Sequence, residues 1–129
     1  MVCEPDRATD RLAYSVIGAA IEVHRALGPG FLEAAYEAAL DVELGHRSIR
    51  FERQKVIPVS YRDRTIALHR LDFLVDERLI VELKAVEFLV PIHFAQMVSY
   101  LAATGLSLGL LINFNVGKLK HGIHRIVRS

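Results

Sequence analysis

Residues 79–86 read Leu-Ile-Val-Glu-Leu-Lys-Ala-Val, an apolar stretch that two opposite charges interrupt, Glu82 and Lys84. The stretch predicts a β-strand, in which residues i and i+2 share a face and lie about 6.6 Å apart. On this segment alone, the commoner interpretation is a half-exposed strand whose Glu82 and Lys84 face water. The alternative is a buried strand that carries a functional pair of charges.

Asp72 gives weight to the second interpretation. It lies in the preceding stretch, residues 68–75, and its neighbours are also apolar. A hairpin with its turn at residues 76–78 brings Asp72 alongside Glu82. Two adjacent carboxylates repel, and a divalent cation with oxygen ligands, such as magnesium, removes that conflict. Pairing of these acids with Arg70 or Lys84 explains them without a metal, so both interpretations stay open.

The flanking sequence predicts the order helix, helix, three strands, helix, strand. The predicted helices span residues 9 or 10 to about 27, residues 31 to 44 or 45, and residues 91–104. The predicted strands span residues 56–61, 65–75, 79–86 and 106–114, with residues 121–127 as a candidate edge strand. Short polar turns join the first three strands, which indicates an antiparallel meander. Pro58 favours an edge position for the first of them, or the end of that strand.

Composition bounds the class of protein. The chain has 129 residues, of which 52% are hydrophobic and 24% are charged, and this excludes a disordered or fibrous chain. We therefore expect a single domain over residues 1–129. The formal net charge of +1 excludes a strongly polycationic nucleic-acid binder. The locally basic residues 117–129 are most simply a solvated tail, although such a patch can also hold a nucleic-acid backbone.

The chain carries none of the usual marks of a secreted or membrane protein. Cys3 is the lone cysteine, which excludes an intramolecular disulfide and a zinc site built on several thiolates. No run of about 18 apolar residues is present, and the first seven residues are charged rather than apolar. We expect a soluble, cytoplasmic protein that does not bind membranes.

Polar side chains on the predicted helices supply further candidates. Glu33 opens the second helix, and Tyr36 and Leu40 follow at i+3 and i+7, so Glu33 shares the inward-looking side of that helix. A first-turn glutamate that the helix dipole favours is the commoner explanation when Glu33 is taken alone. Gln96 and Tyr100 project from one face of the third helix, where each by itself is more often an ordinary surface residue.

The combination is more specific than its members. Residues 30–36 form Gly-x-x-Glu-x-x-Tyr, and Asp72, residues 82–84 and a Gln-x-x-x-Tyr element at residues 96–100 follow in chain order. This combination resembles the GxxExxY protein family, a branch of the PD-(D/E)XK nuclease superfamily, and the last element is similar to that of RecB-type nucleases. The resemblance covers nearly the whole chain, with Leu71 in place of the superfamily's proline. It implies a restriction-endonuclease-like α/β domain, in which helices flank a small mixed sheet.

The resemblance also implies a metal site. Asp72 and Glu82 would ligate Mg²⁺ or Mn²⁺, the backbone carbonyl of Leu83 would assist them, and Glu33 would bind directly or through water. Such a set of oxygen ligands matches the preference of these cations.

Three further residues receive catalytic roles from the same resemblance. Lys84 would orient or deprotonate the attacking water and offset the charge that builds up on the phosphate. Gln96 would position Lys84 or the substrate phosphate. Tyr100 would support that group or contact the nucleic-acid backbone.

The activity that the resemblance implies is metal-dependent hydrolysis of phosphodiester bonds, with DNA as the expected substrate. One alternative is a nuclease-fold module without turnover that binds nucleic acid or a protein partner. Another is a structural protein, such as a homodimer that pairs through an edge strand. No base-reading element is apparent, so sequence-specific cleavage is not expected.

Overall fold

In the part of the chain that the structure describes, two helices precede three strands, and a third helix and two further strands follow. The computed structural model of the protein describes residues 4–128, so Cys3 and Ser129 lie outside the described residues. The helices are α1 (Arg7–Leu27), α2 (Glu33–His46) and α3 (Pro91–Thr104). The strands are β1 (Phe51–Tyr61), β2 (Arg64–Val75), β3 (Leu79–Lys84), β4 (Leu108–Asn113) and β5 (Ile123–Val127), with a 3₁₀ turn at Leu119–His121. None of the helices in residues 4–128 has both the length and the apolar character that a bilayer crossing demands.

The strands form one mixed sheet in the order β1-β2-β3-β4-β5. Strands β3 and β4 are parallel, and every other neighbouring pair is antiparallel. Helix α3 makes the crossover that a parallel pair requires. The predicted α/β class, the antiparallel meander and the edge position of the strand that contains Pro58 are confirmed.

Helices cover both faces of the sheet. The larger core joins α1 and α2 to one face, and its fully buried members include Val16, Tyr36, Leu40, Val81 and Leu110. The smaller core joins α3 to the other face through Met97, Leu101, Ile80, Leu71 and Ile57. Burial of each such side chain stabilises the fold by roughly 1.5–3 kcal/mol relative to an exposed one. Strand β3 therefore contributes to both cores, and Glu82 and Lys84 are half-buried rather than facing water as the half-exposed interpretation requires.

The helix starts differ from the predicted ones. Helix α1 begins at Arg7, because the Asp6 carboxylate accepts a hydrogen bond from the Thr9 backbone N–H at 2.7 Å and caps the helix. This hydrogen bond also lowers the pKa of Asp6. The predicted cap at Thr9 or Asp10 is wrong, since Thr9 is buried inside the helix. Helix α2 begins two residues later than predicted, at Glu33, after an extended Leu32.

The C-terminal segment is folded rather than a solvated tail. Strand β5 pairs antiparallel with β4, which confirms the candidate edge strand with slightly narrower bounds. Its Arg125 forms an ion pair with Asp10 of α1 at 2.9 Å, and Arg128 donates to the Leu106 carbonyl at 3.0 Å. The basic residues of this segment are thus partly used within the fold.

Asn113, the last residue of β4, fastens the end of the central parallel pair. It lies opposite Lys84 in the ladder, and its side-chain amide exchanges two hydrogen bonds with the backbone of Val86, at 2.9 and 3.1 Å. Its backbone N–H donates to the carbonyl of Gly122 at 2.8 Å. Gly122 is packed so closely that an added Cβ would collide with the Asn113 carbonyl oxygen.

We expect Gly122→Ala to lower the free energy of unfolding by about 2–3 kcal/mol, because the backbone atoms that meet the new methyl group cannot move aside. Gly117→Ala is the matched control, since nothing lies within 4 Å of a Cβ at that exposed position. Urea denaturation of both variants measures the difference. Equal stability of the two would contradict the close packing at Gly122.

Candidate active site at the fork of the sheet

The sheet splits at Asp72, where β2 separates from β3. We call this region, which consists of Asp72 and residues 82–84, the fork. The two strands share three residue pairs, the last of which is Phe73 opposite Val81, whereas β2 remains paired with β1 as far as Arg64. Beyond that last pair, side-chain carboxylates accept the hydrogen bonds of the backbone N–H groups. The Asp72 N–H donates to Glu82 Oε2 at 2.6 Å, and the Leu83 N–H donates to Asp72 Oδ2 at 2.8 Å. Two carboxylates therefore replace the hydrogen bonds that the ladder would otherwise make.

This exchange brings Asp72 and Glu82 together, half-buried, as the hairpin at residues 76–78 predicts. Burial, followed by the charge of Asp72, raises the pKa of Glu82 to about 8. Burial also raises the pKa of Asp72, against the lowering effect of the Leu83 N–H. Across residues 4–128, no ion pair neutralises either carboxylate, so the pairing with Arg70 or Lys84 that would explain them without a metal is not formed.

Lys84 and Glu33 both interact electrostatically with this pair. Lys84 follows Glu82 on the same face of β3 and lowers the pKa values of Asp72, Glu82 and Glu33 without contacting them as an ion pair. Partial desolvation and then the charge of Asp72 raise the pKa of Glu33. Glu33 is nevertheless exposed, which corrects the expectation that it faces inward, and water screens its charge.

Tyr36 fixes the start of α2 and thereby the location of Glu33. Its hydroxyl donates to the Gly28 carbonyl at 2.6 Å and accepts from the Phe31 N–H at 3.2 Å. Its buried ring stacks on Phe114 with the centroids 4.6 Å apart. The loop before α2 also needs Gly30, whose φ of 108° is unfavourable for other residues. Within the Gly-x-x-Glu-x-x-Tyr motif, glycine and tyrosine thus build the support for the glutamate.

Tyr100 and Gln96 line a groove between α3 and the β1–β2 hairpin. The groove has a volume of about 320 Å³, and Val59 and His69 contribute to its wall. Burial and then the charges of Glu82 and Asp72 raise the pKa of Tyr100, which is thus within electrostatic range of the carboxylate pair. Gln96 is exposed, and no hydrogen bond within the described range joins it to Lys84.

Two residues of the site were not predicted from the sequence. Gln54 lies beside Asp72 where the β1–β2 pairing skips both residues, and its φ of 55° is in the left-handed region. Its amide donates to Glu37 Oε1 at 2.7 Å and lowers the pKa of Asp72, which the charge of Glu37 raises. The position of Glu37, one turn after Glu33, is visible in the sequence. Nothing in the sequence marks Gln54, because its backbone conformation depends on the fork.

The donor set fits a divalent cation that two carboxylates hold. In residues 4–128, no group of three or more His, Cys, Asp or Glu side chains is arranged to hold a metal ion, so Glu33 does not complete a cage with Asp72 and Glu82. However, one oxygen of each carboxylate in the pair makes no hydrogen bond to the described backbone. Magnesium keeps several water ligands and binds proteins through one or two carboxylates. Asp72 and Glu82 meet that requirement.

Comparison with known proteins places the chain beside a known family. A sequence model of the PD-(D/E)XK nuclease superfamily matches residues 10–126, a range that contains every residue of the fork. No curated protein and no solved structure shows significant similarity to the chain.

We expect the stability of the metal-free protein to fall as the pH rises from about 4.5 to about 8. Between these values the folded state keeps the Glu82 proton that the unfolded state loses, since the pKa of Glu82 rises from 4.5 to about 8 on folding. Glu82→Gln keeps the acceptor for the Asp72 N–H and removes the charge. It should therefore raise the free energy of unfolding at pH 8 by a few kcal/mol and have little effect at pH 4.5.

Thermal unfolding with a chelator at each pH measures this difference. Glu87→Gln is the control, because Glu87 is exposed and outside the fork. Wild-type and Glu82→Gln melting temperatures that stay parallel across the pH range would contradict the assignment.

Proposed function

The chain belongs to the PD-(D/E)XK nuclease superfamily, and from this membership we propose that it is a divalent-metal-dependent nuclease that hydrolyses phosphodiester bonds in DNA. The observation that carries the proposal is the fork. Asp72 and Glu82 meet there half-buried and without a cationic partner in the described structure. Such an uncompensated pair is costly unless it serves a cation.

Asp72 and Glu82 would hold Mg²⁺ or Mn²⁺ in this proposal, with the backbone carbonyl of Leu83 as a further ligand and Glu33 acting through water. The exposure of Glu33 supports an indirect role rather than a direct one. When bound, the ion would supply a Lewis acid for the phosphate and neutralise the carboxylates.

Lys84 would orient the attacking water and offset charge on the phosphate. Its location on β3 supports this role. Lys84 lies two residues after Glu82 and opposite Asn113, whose hydrogen bonds hold this end of the strand, and a preorganised cation needs no rearrangement during the reaction. Gln96 and Tyr100 would hold the substrate phosphate from the groove beside the fork. The effect of Glu82 and Asp72 on the pKa of Tyr100 supports its proximity to that phosphate.

A second candidate is a nuclease-fold module that binds nucleic acid or a protein without turnover. In residues 4–128, no three His, Cys, Asp or Glu side chains are arranged to hold a metal ion together. This favours the binding module over a nuclease whose metal has three direct side-chain ligands. Homodimer formation and a cytoplasmic location stay predictions of the sequence.

We expect wild-type protein to cleave DNA in the presence of magnesium and Glu82→Gln and Lys84→Ala to be at least about 100-fold slower, the usual effect of removing one preorganised electrostatic group. Single- and double-stranded DNA and RNA are compared, with Glu87→Gln as a control that should cleave like wild type. An inert wild type, or variants that cleave equally well, would refute the enzymatic proposal.

We expect calorimetry without nucleic acid to show one manganese site that Asp72→Asn abolishes. Asparagine still accepts from the Leu83 N–H, so the fork stays folded while a charged ligand is lost. Because the pKa of Glu82 is about 8, binding at pH 7 should also release close to one proton. Titration in buffers of different ionisation enthalpy measures that proton. Unchanged manganese binding in Asp72→Asn would favour the binding module.

A further inference from the structure

The β1–β2 hairpin continues past the fork as an arm that leaves the body of the domain. We define the hairpin arm as residues 58–70. Residues 61–70 are all exposed, although they form an antiparallel ladder with β1 that ends with Tyr61 opposite Arg64. An arm of this kind buries little apolar surface, so the core does not explain its length.

The charges of the hairpin arm are strongly asymmetric. It carries Arg62, Arg64 and Arg70, and Asp63 is its one acidic residue. None of these arginines forms an ion pair with any of residues 4–128. Arginines elsewhere on the surface, such as Arg47 and Arg53, are paired with carboxylates. The guanidinium groups of the arm are therefore available to an external anion.

The tip of the arm places an arginine where the backbone disfavours it. Arg62 and Asp63 both have positive φ, 49° and 63°, as the tight turns that suit hairpin twist require. Glycine or asparagine would fit the Arg62 position with less strain. The Arg62 guanidinium lies over the Tyr61 ring at 5.7 Å from its centroid, which holds it at the tip.

Strand alternation defines two faces of the arm. His69 faces α3, since its ring lies 5.7 Å from that of Tyr100. The opposite face carries Leu68 (67% exposed) and Arg70. Beyond the register shift at Val59/Ser60 the alternation of β2 reverses, so Arg64 pairs with Tyr61 on the His69 face, and Ile66 (63% exposed) lies at the shift without a partner in β1. Arg70 and Arg64 are two and eight residues from Asp72, or about 7 and 26 Å along the strand.

We propose that the hairpin arm binds the sugar-phosphate backbone of the nucleic-acid substrate, with Arg62, Arg64 and Arg70 on phosphates and Ile66 and Leu68 against the sugars and bases. This inference rests on the proposed function, because Asp72 belongs to the reacting site at the base of the same strand. At about 3.4 Å per nucleotide, the arm reaches phosphates up to roughly eight nucleotides from the site.

A second copy of the chain fits the arm less well. The edge of β1 is interrupted by Pro58 and by a register shift at Val59/Ser60, features that blunt strand pairing. A symmetric dimer through the arm would also bring its arginines against those of the partner.

The test is fluorescence anisotropy of a labelled 20-mer duplex in EDTA, titrated with NaCl, with Glu82→Gln present in every protein to exclude cleavage. The variant replaces Arg62, Arg64 and Arg70 by glutamine. Its control replaces two other arginines by glutamine, Arg7 and Arg11 of α1, which are also exposed and form no ion pair within the described chain. A third protein carries lysine at the three arm positions.

We expect glutamine at the arm to weaken binding about 10- to 100-fold at 50 mM NaCl and to reduce the slope of log K against log salt by about 2–3, near 0.9 for each lost phosphate contact. The control should match the parent protein, and lysine should restore most of the slope, because it contacts phosphate as a point charge.

Equal affinities and slopes for the arm variant and the α1 control would overturn the proposal, and so would a parent protein that binds no duplex at low salt. Sedimentation velocity tests the alternative that the arm joins two copies of the chain. If the protein is a dimer, and the double variant Ile66→Ser, Leu68→Ser is a monomer that still binds the duplex with the parent affinity, the proposal is refuted. Failure of the proposed function is a separate result: protein with Glu82 intact binds through the arm but does not cleave with magnesium.

Discussion

The reciprocal hydrogen bonds between Asp72 and residues 82–83 are the constraint on which the structure depends. Once β2 leaves β3, the backbone N–H groups of Asp72 and Leu83 lose their ladder acceptors inside a partly buried region, where an unmade hydrogen bond is costly. The two carboxylates supply those acceptors. Neutral amides would do so equally well without raised pKa values. The choice of charged acceptors therefore indicates a purpose beyond closing the fork.

Rigid elements hold every side of this fork. Strand β3 lies between two cores. Hydrogen bonds of Asn113 to Val86 and Gly122 hold the chain at the C-terminal end of β3, so Lys84 projects from a fixed backbone. Tyr36 anchors the loop before α2 and with it Glu33. Sites built on such supports are more precise than sites carried by free loops.

The sequence predicted what depends on local pattern and failed where tertiary contacts decide. The turn at residues 76–78 and the apolar run around Glu82 were sufficient to bring Asp72 and Glu82 together. The left-handed backbone of Gln54 was not predictable, because it arises only where the paired strands skip a pair. The exposure of Glu33 was missed since helical periodicity gives a side chain's direction and not where the core ends. The chemical roles of these residues remain predictions of the resemblance.

At the fork, the requirements of stability and of function conflict within one pair of side chains, Asp72 and Glu82. At neutral pH and without a cation, burial keeps a proton on Glu82, because the folded protein is more stable with one negative charge at this position than with two. The doubly charged carboxylate pair that would bind a cation thus destabilises the metal-free folded state. Proteins commonly accept such a local loss of stability at functional sites, and the surrounding cores offset it here. The strand that begins the fork also forms the arm, so the position of the reacting site and the approach of a polyanion are set by one continuous element.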